Sequence, residues 1–304
     1  MLLTIAIPSH NSTHYLDQAI RSIVAEPGFG QYVDICVSDN SELASTVTLM
    51  SAHCRANNSI HYYNSSEYSS LDSNVNRAVE LAFGEYVWIF GDDDLIVPGI
   101  LKQLVSFLEA KNPDLMVLNS SSFSDEGTLE TSRVAKGVRS IYDINENDQF
   151  LVDLGGYLTY VGSILVRREL WLKHFAHHCI GTYFAHIATI CNIKRTTAAY
   201  YFSEPAIRMR MHSQTWTSNA FLIWHQYFPQ LIWELPGFSQ RAKGSVIPRW
   251  PIHSPRRMLA AKAYGRLTNQ IWLSVILPSR EILPVAKLFC LLLALLPRLP
   301  FRLL

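Results

Sequence analysis

The sequence predicts an α/β protein: a mostly parallel sheet with helices on both faces, followed by a helical C-terminal region. Three observations carry that expectation. Short apolar, β-rich runs alternate with segments of helical periodicity over the first part of the chain, the pattern of a doubly wound sheet. One run, Tyr86-Val87-Trp88-Ile89-Phe90-Gly91, is uncharged and stops abruptly at Asp92-Asp93-Asp94. After residue 215 the composition shifts to Trp, Tyr and Leu, which divides the chain into a domain at 1–215 and a helical region at 216–304.

The elements follow in order. Residues 2–8 are an apolar strand, closed by Pro8. Tyr15, Leu16, Ala19, Ile20, Ile23 and Val24 recur at helical spacing within 11–25. Pro27-Gly28 and Gly30 make a turn. A second strand, 33–37, ends at Ser38-Asp39-Asn40-Ser41. A helix at 43–57, a short strand at 60–63 and a helix at 71–83 precede the strand that leads into the Asp cluster. A helix at 98–110 and a strand at 114–118 complete the alternation. Residues 124–150 are polar and read as loops. Residues 157–166 restore a strand, and 168–176 begin a helix. Helical runs at 216–234 and 254–276 lie in the C-terminal region.

Apolar residues make up 49% of the chain and charged residues 17%, which argues against disorder and leaves membrane contact open. The five cysteines are scattered without a CxxC pair, so neither a zinc module nor a disulfide framework is expected, and a reducing compartment fits. The N-terminus has no basic n-region and reads as a first strand. Charge is uneven. Residues 241–304 carry eleven Lys or Arg against one acid, Glu281. The nearly unbroken apolar run 285–296, bounded by Pro284 and Pro297, is shorter than the ~20 residues that span a bilayer. A segment lying in the membrane interface fits, with the basic residues on anionic lipid; a helix packed on the first domain is the alternative. The tail lacks the aromatic–basic stacking platform that nucleic acid requires.

Three adjacent carboxylates repel one another and raise each other's pKa. A hard cation, Mg²⁺ or Mn²⁺, would remove that cost and leave positions open for substrate phosphates. An acidic cap for the next helix explains the same residues. Crevices in open α/β sheets lie outside the carboxyl ends of strands. Three strand ends should meet there: Pro8-Ser9-His10-Asn11, Ser38-Asp39-Asn40-Ser41 and Gly91-Asp92-Asp93-Asp94.

In their order and spacing, these motifs resemble the family 2 glycosyltransferases of GT-A fold over roughly residues 2–195. The parts are the Ile5-Ala6-Ile7-Pro8-Ser9-His10-Asn11 opening, the strand ending in Asp39, the helix with Asn74 and Arg77, and the Glu85-Tyr86 strand before the Asp cluster. The resemblance implies a nucleotide-sugar donor. It places Pro8, Ser9, Asn11 and Asp39 on the nucleotide, Asn74 and Arg77 facing the donor pocket, and Asp92 at the donor diphosphate. It makes Asp92, Asp93 and Asp94 the metal ligands, with Asp93 foremost. For Asp39 an Asx turn is a compatible structural reading, and for Arg77 a solvated helix face is the alternative.

The chain departs from the family twice. Gly91 stands where the first Asp of an Asp-x-Asp-Asp motif falls. The stretch that carries a Glu-Asp pair in inverting members is here Gly181-Thr182-Tyr183-Phe184-Ala185-His186. It is similar to the abequosyltransferase-like branch of bacterial O-antigen sugar transferases, which makes His186 the candidate base, with a pKa near neutral expected. Asp153 is the reserve acid, and core packing is the alternative for His186. Arg208 and Arg210, near His212, could reach a diphosphate or alternate outward from a strand. The resemblance implies a lipid-linked glycan acceptor and a peripheral place on the cytoplasmic face of a bacterial inner membrane, reached through residues 241–304. A nucleotidyltransferase would need a Gly-rich, cationic phosphate loop, which Ser9-His10-Asn11-Ser12 is not. A catalytically inactive glycan- or nucleotide-binding protein would explain the missing Glu-Asp pair.

Overall fold

The structure is a computed structural model that describes residues 1–68, 70–123, 137–211 and 219–297. His212, Arg298, Arg302 and the expected domain boundary at 215 lie outside the described residues. The chain divides into two compact units, Met1–Ser213 with Pro236–Phe238, and Gln214–Leu235 with Ser239–Leu304.

The first unit is built on one sheet. β1 (Leu3–Ser9), β2 (Val33–Asp39), β3 (Ile60–Asn64) and β4 (Tyr86–Ile89) are joined by α1 (Thr13–Val24), α2 (Ala44–Ala56) and α3 (Leu71–Leu81). Then follow β5 (Leu95–Ile96), α4 (Ile100–Lys111), β6 (Leu115–Phe123), β7 (Ile141–Tyr142), α5 (Asn147–Leu154), β8 (Ile164–Arg167), α6 (Arg168–His174), α7 (Ala185–Asn192) and β9 (Ala199–Arg210). The strand order is β3-β2-β1-β4-β8-β6-β9-β5, with β7 on β9. Pairing is parallel through β3, β2, β1 and β4 and again between β6 and β9, while β8 runs antiparallel between β4 and β6. The sheet is therefore mixed. The central strands are buried along their whole length, as strands covered on both faces must be. Their Leu3, Ile5, Ile7, Ile35, Val37 and Trp88 pack against Leu16, Ile20 and Ile23 of α1.

Several expectations are corrected. Residues 157–163 form two 3₁₀ turns, and only 164–167 are a strand. The reason is a close approach: a Cβ on Gly162 would come within 2.7 Å of the Tyr160 ring, and the Trp88 indole N–H donates to the Gly162 carbonyl. The polar stretch 137–150 contributes β7 and the start of α5. β6 runs five residues past its expected end, from Asn119 to Phe123, where Asn119 donates to the Ser203 carbonyl at an irregularity in the β9 register. The Asp cluster caps no helix. β5 follows it, and the Glu26 carboxylate accepts from Gly99 N and Leu101 N at the start of α4.

The second unit is helical: α8 (Ala220–Leu222), α9 (Phe228–Glu234), α10 (Gln240–Val246), α11 (Pro255–Ala263), α12 (Asn269–Ile271) and α13 (Pro284–Leu295). A π turn joins α8 to α9 just before Pro229, and another extends α12 to residue 276. The run expected at 254–276 breaks at Gly265, which has φ +71°, and restarts at Thr268, whose hydroxyl accepts from Ile271 N. Phe221, Met258, Leu267, Ile276, Cys290 and Leu293 form this unit's core. Among the described residues no helix is long and apolar enough to cross a membrane.

Candidate active site

The carboxyl ends of β1, β2 and β3 finish level, with Ser9 beside Asp39 and Asp39 beside Asn64. The loops beyond them are knitted together. Asn40 N donates to the Ser9 carbonyl at 3.1 Å. The His10 ring bridges two side chains: Nε2 accepts from Asn11 Nδ2 at 3.0 Å, which leaves Nδ1–H to donate to Asn40 Oδ1 at 2.9 Å. Asn11 holds φ +54°, a left-handed conformation that Asn tolerates better than other side chains. Ser9 is buried at the end of β1, with its hydroxyl close enough to Asp92 to favour the ionised carboxylate.

Asp39 is buried and fully engaged. Its Oδ1 accepts from Ser41 N at 3.0 Å, the Asx turn; its Oδ2 accepts from the Tyr62 hydroxyl at 2.8 Å and from Asn64 at 3.2 Å. Asn74 is buried and does not face open pocket. Its carbonyl oxygen accepts from the Ser38 hydroxyl at 2.7 Å, and its amide donates to the Ser9 carbonyl at 3.0 Å. It braces the β1 and β2 ends against α3. Arg77 is partly exposed, paired with Glu80 at 3.2 Å and lying over the Tyr68 ring at 5.3 Å.

The structure separates the three aspartates. Asp92 Oδ2 accepts from His10 N at 3.2 Å, which ties the cluster to the β1 loop. Burial, then the neighbouring Asp93 charge, pushes Asp92 up to about 7. Asp94 is buried; Oδ1 accepts from Arg210 N at 2.9 Å and Oδ2 from the Tyr160 hydroxyl. Burial and Asp93 push it up to about 8. Both Asp94 oxygens thus have partners within the protein. Arg210 is buried too. Its Nε donates to the Asp93 carbonyl at 2.9 Å and its Nη2 to Gln18 at 2.6 Å, with the guanidinium over Tyr15 and Phe123. It holds the Asp turn from beneath, while Arg208 lies over Phe123. Gly91 has a steric reason: a Cβ there would come within 2.5 Å of Asp94 Oδ2 and 3.1 Å of Asp93 Oδ1. The carboxylates fold back over the glycine, so the turn excludes an acid at this position.

Among the described residues no three His, Cys, Asp or Glu side chains converge as a metal cage. The donor set fits a different arrangement. Asp92 and Asp93 follow the end of β4, and burial with the neighbouring Asp93 charge holds Asp92 above the ordinary carboxylate range. Magnesium-like ions are commonly held by one or two carboxylates, with substrate phosphates and water completing the shell.

The two expected acid–base residues make contacts within the fold. His186, on α7, is buried, and its Nε2–H donates to the Leu158 carbonyl at 3.0 Å. Burial lowers its pKa to about 4, not near neutral as expected. Asp153 accepts from Tyr142 at 2.9 Å and Gln149 at 2.7 Å. Tyr142 pairs with Ala199, the first residue of β9. Asp153 is therefore held near the end of β9 opposite Arg210, away from the Asp cluster.

Sequence reasoning missed Asp72. It is buried at the start of α3, where Oδ2 accepts from Gly181 N (2.8 Å) and Tyr183 N (2.9 Å) and Oδ1 from Ala185 N (3.0 Å). Gly181 and Tyr183 both have positive φ, +91° and +71°. A Tyr in that region costs of order 1–3 kcal/mol and persists only where its surroundings over-determine it; here three N–H groups close on one carboxylate. The stretch lacking a Glu-Asp pair is thus wrapped around an acid from another helix. The one signal was Gly181, a position suited to positive φ.

A mostly parallel sheet with aspartates and Asn-rich loops at the carboxyl edge of its strands defines the broad class of α/β proteins that bind ligands at that edge. The comparisons narrow it. The family model for glycosyl transferase family 2 matches residues 4–183, and the chain belongs to that family; it is a glycosyltransferase. It is 26% identical to the abequosyltransferase RfbV of Salmonella typhimurium over 222 residues, 69% of this chain and 67% of that protein. It is 24% identical to the GalNAc(5)-diNAcBac-PP-undecaprenol beta-1,3-glucosyltransferase of Campylobacter jejuni over 155 residues, 51% of this chain and 49% of that one. The fold is shared with S. aureus TarS 1–349, with a TM-score of 0.59 at 13% identity over 90% of this chain and 75% of that one. It is also shared with a mannosyltransferase from Pyrobaculum calidifontis solved with GDP-Man and Mn²⁺, with a TM-score of 0.55 at 14% identity over 96% and 79%.

Proposed function

We propose that the protein transfers a sugar from a nucleoside-diphosphate donor to a lipid-linked glycan, as a step in assembling a bacterial surface polysaccharide such as O-antigen. The observation that carries this reading is the convergence of the Ser9, Asp39 and Asp92–Asp93 loops on one edge of a family 2 sheet. The names of the two curated relatives, one of which acts on an undecaprenol-linked glycan, support the acceptor class. The nucleotide would lie along the Pro8–Asn11 and Asp39 loops. Asp39 and Asn74 shape that floor from below, Asp39 through Ser41, Tyr62 and Asn64, Asn74 through Ser9 and Ser38. The Ser9 hydroxyl, buried beside Asp92, would link the nucleotide floor to the Asp turn. Arg77, at the rim, is available to the donor's phosphates by exchanging its exposed Glu80 partner, a pair of the kind worth only about 0–1 kcal/mol.

A divalent cation, Mg²⁺ or Mn²⁺, fits Asp93 with Asp92 and, when bound, would neutralise the departing diphosphate. His10 N orients Asp92, while Arg210 and Tyr160 fix the turn that presents Asp93. His186 and Asp153 serve the structure: a buried neutral ring at about 4 is poorly placed to take a proton near pH 7. The protein would work on the cytoplasmic face of the inner membrane, beside its acceptor. A panel of nucleotide sugars, assayed for slow release of nucleoside diphosphate with and without Mn²⁺, tests the reading. One donor should be hydrolysed in a metal-dependent way. No turnover and no metal-dependent binding across the panel would leave a binding protein without transferase activity.

A further inference from the structure

In the second unit, α13 is apolar except for Lys287, whose ammonium donates to the Leu277 carbonyl, yet it buries only one side. Cys290, Leu293 and Ala294 face the core, and Lys262 Nζ donates to the Ala294 carbonyl at 3.0 Å near the helix's C-terminal end. Val285, Leu288, Leu292 and Leu295 are 72, 57, 56 and 63% exposed. At spacings of 3, 4 and 3 residues they line one stripe. Leu273, on the π turn that packs beside α13, is 60% exposed, and Leu283 and Leu296 extend the stripe at either end. A helix with no polar face is stable in a water-soluble fold only when that face meets something apolar.

Charge says what that is. Leu283 N donates to His253 Nε2 at 3.2 Å, so the N-terminal ends of α13 and α11 lie together. Exposed arginines collect in the segments around that junction: Arg249, Arg256, Arg257 and Arg280. Glu281 is the only acid in 241–304. Two of the basic residues counted in the sequence do not contribute, because Lys243 and Lys262 are buried with their ammonium groups on backbone carbonyls. A second copy of this surface would bring arginines against arginines. An anionic bilayer supplies both an apolar layer and a negative one.

We propose that the Val285–Leu295 stripe docks the protein on an anionic lipid surface, its leucines entering the acyl boundary while Arg249, Arg256, Arg257 and Arg280 meet headgroup phosphates. The proposal rests on the reading of the acceptor as lipid-linked for its purpose, and its test does not depend on turnover. Full-length protein is floated with vesicles of phosphatidylglycerol and phosphatidylcholine, and with phosphatidylcholine alone. The wild type should float with the anionic vesicles. Leu288→Gln/Leu292→Gln should lower partitioning by about tenfold or more. Arg256→Gln/Arg257→Gln should lower it on anionic vesicles and leave the weak neutral binding unchanged. Donor hydrolysis in solution should match the wild type in both variants. Photo-crosslinking of wild-type protein to a diazirine-bearing phosphatidylglycerol should tag residues 283–296, whatever the behaviour of the variants. Wild-type protein that stays off anionic vesicles, unchanged flotation of the leucine variant, or lipid tags only outside 283–296 would each overturn the proposal. So would a wild-type dimer that the leucine variant splits without vesicle binding, which would give the stripe to a second copy. Absent donor hydrolysis with intact flotation would sink the transferase reading alone.

Discussion

At the scale of single residues, three adjacent aspartates have three different tasks. Asp92 ties the turn to His10 and Asp94 anchors it to Tyr160 and Arg210, while Asp93 is the foremost group in the proposed cation site. Asp93→Ala should therefore cut metal-dependent donor turnover by at least about 100-fold, the scale of several kcal/mol of charge stabilisation, with the thermal midpoint near that of wild type. Retained turnover would move the metal elsewhere. Gly91 gives a sharper test of the same turn. Gly91→Ala puts a methyl 2.5 Å from Asp94 Oδ2, and overpacking of this kind costs about 1–3 kcal/mol. The variant should be destabilised and should bind donor and Mn²⁺ more weakly in calorimetry. An unperturbed Gly91→Ala would mean that the carboxylates do not fold over the glycine.

At the scale of elements, α3 holds the site together. Asp72 fixes the 181–185 loop, and two residues later Asn74 fixes the β1 and β2 ends. Asn74→Ala removes the acceptor of the buried Ser38 hydroxyl and leaves the Ser9 carbonyl with Asn40 N alone, a loss of about 1–3 kcal/mol read from the denaturation midpoint. Asp72→Asn retains one acceptor oxygen and places an NH₂ against backbone N–H groups. It should release Tyr183 from its left-handed conformation and lower kcat more than it raises the donor KM, as read from steady-state kinetics. Equal effects on both would place the 181–185 loop on the donor side. These contacts mark where the sequence stopped being legible. β1 to β4 and the strand-end motifs could be read because apolar runs and helical spacing are local signals. The carboxylate at Asp72 could not, since its partners lie more than a hundred residues away and no periodicity announces them. Likewise Ser120 and Ser122 look like loop residues until β9 pairs with them, and Tyr160 looks like a strand residue until Gly162 makes room for its ring. His186 was found as an unusual residue, but its burial depends on the Leu158 carbonyl and not on any neighbour in sequence.

At the scale of the whole molecule, each unit holds an imidazole away from water among the described residues, His186 buried and His225 half-buried. In the first, His186 donates to the Leu158 carbonyl; in the second, His225 lies stacked 4.6 Å from Phe221 with its Nδ1 on the Phe221 carbonyl at 3.1 Å. Burial lowers both to about 4, against ~6.5 in an unfolded chain. Above pH 6.5 both states are neutral at these sites and the histidines leave stability unchanged with pH. As pH falls from 6.5 towards 4, the unfolded chain takes up protons that the folded one cannot, so stability is lost through that window. Calorimetric thermal midpoints recorded from pH 7.5 to 4.5 combine this loss with the opposite contribution of Asp92 and Asp94, whose raised folded values add stability as pH falls. The histidine share is therefore the fall that wild type shows relative to His186→Gln. His186→Gln, which keeps a donor for Leu158 but cannot ionise, should flatten that fall for the first unit, while the contribution of His225 persists. It should also preserve much of the donor hydrolysis rate, because the ring supports the fold and takes no proton from the acceptor. A midpoint that falls as steeply in His186→Gln as in wild type would show that the ring is not held neutral. A chemical rate lost without loss of stability would return His186 to the role of base.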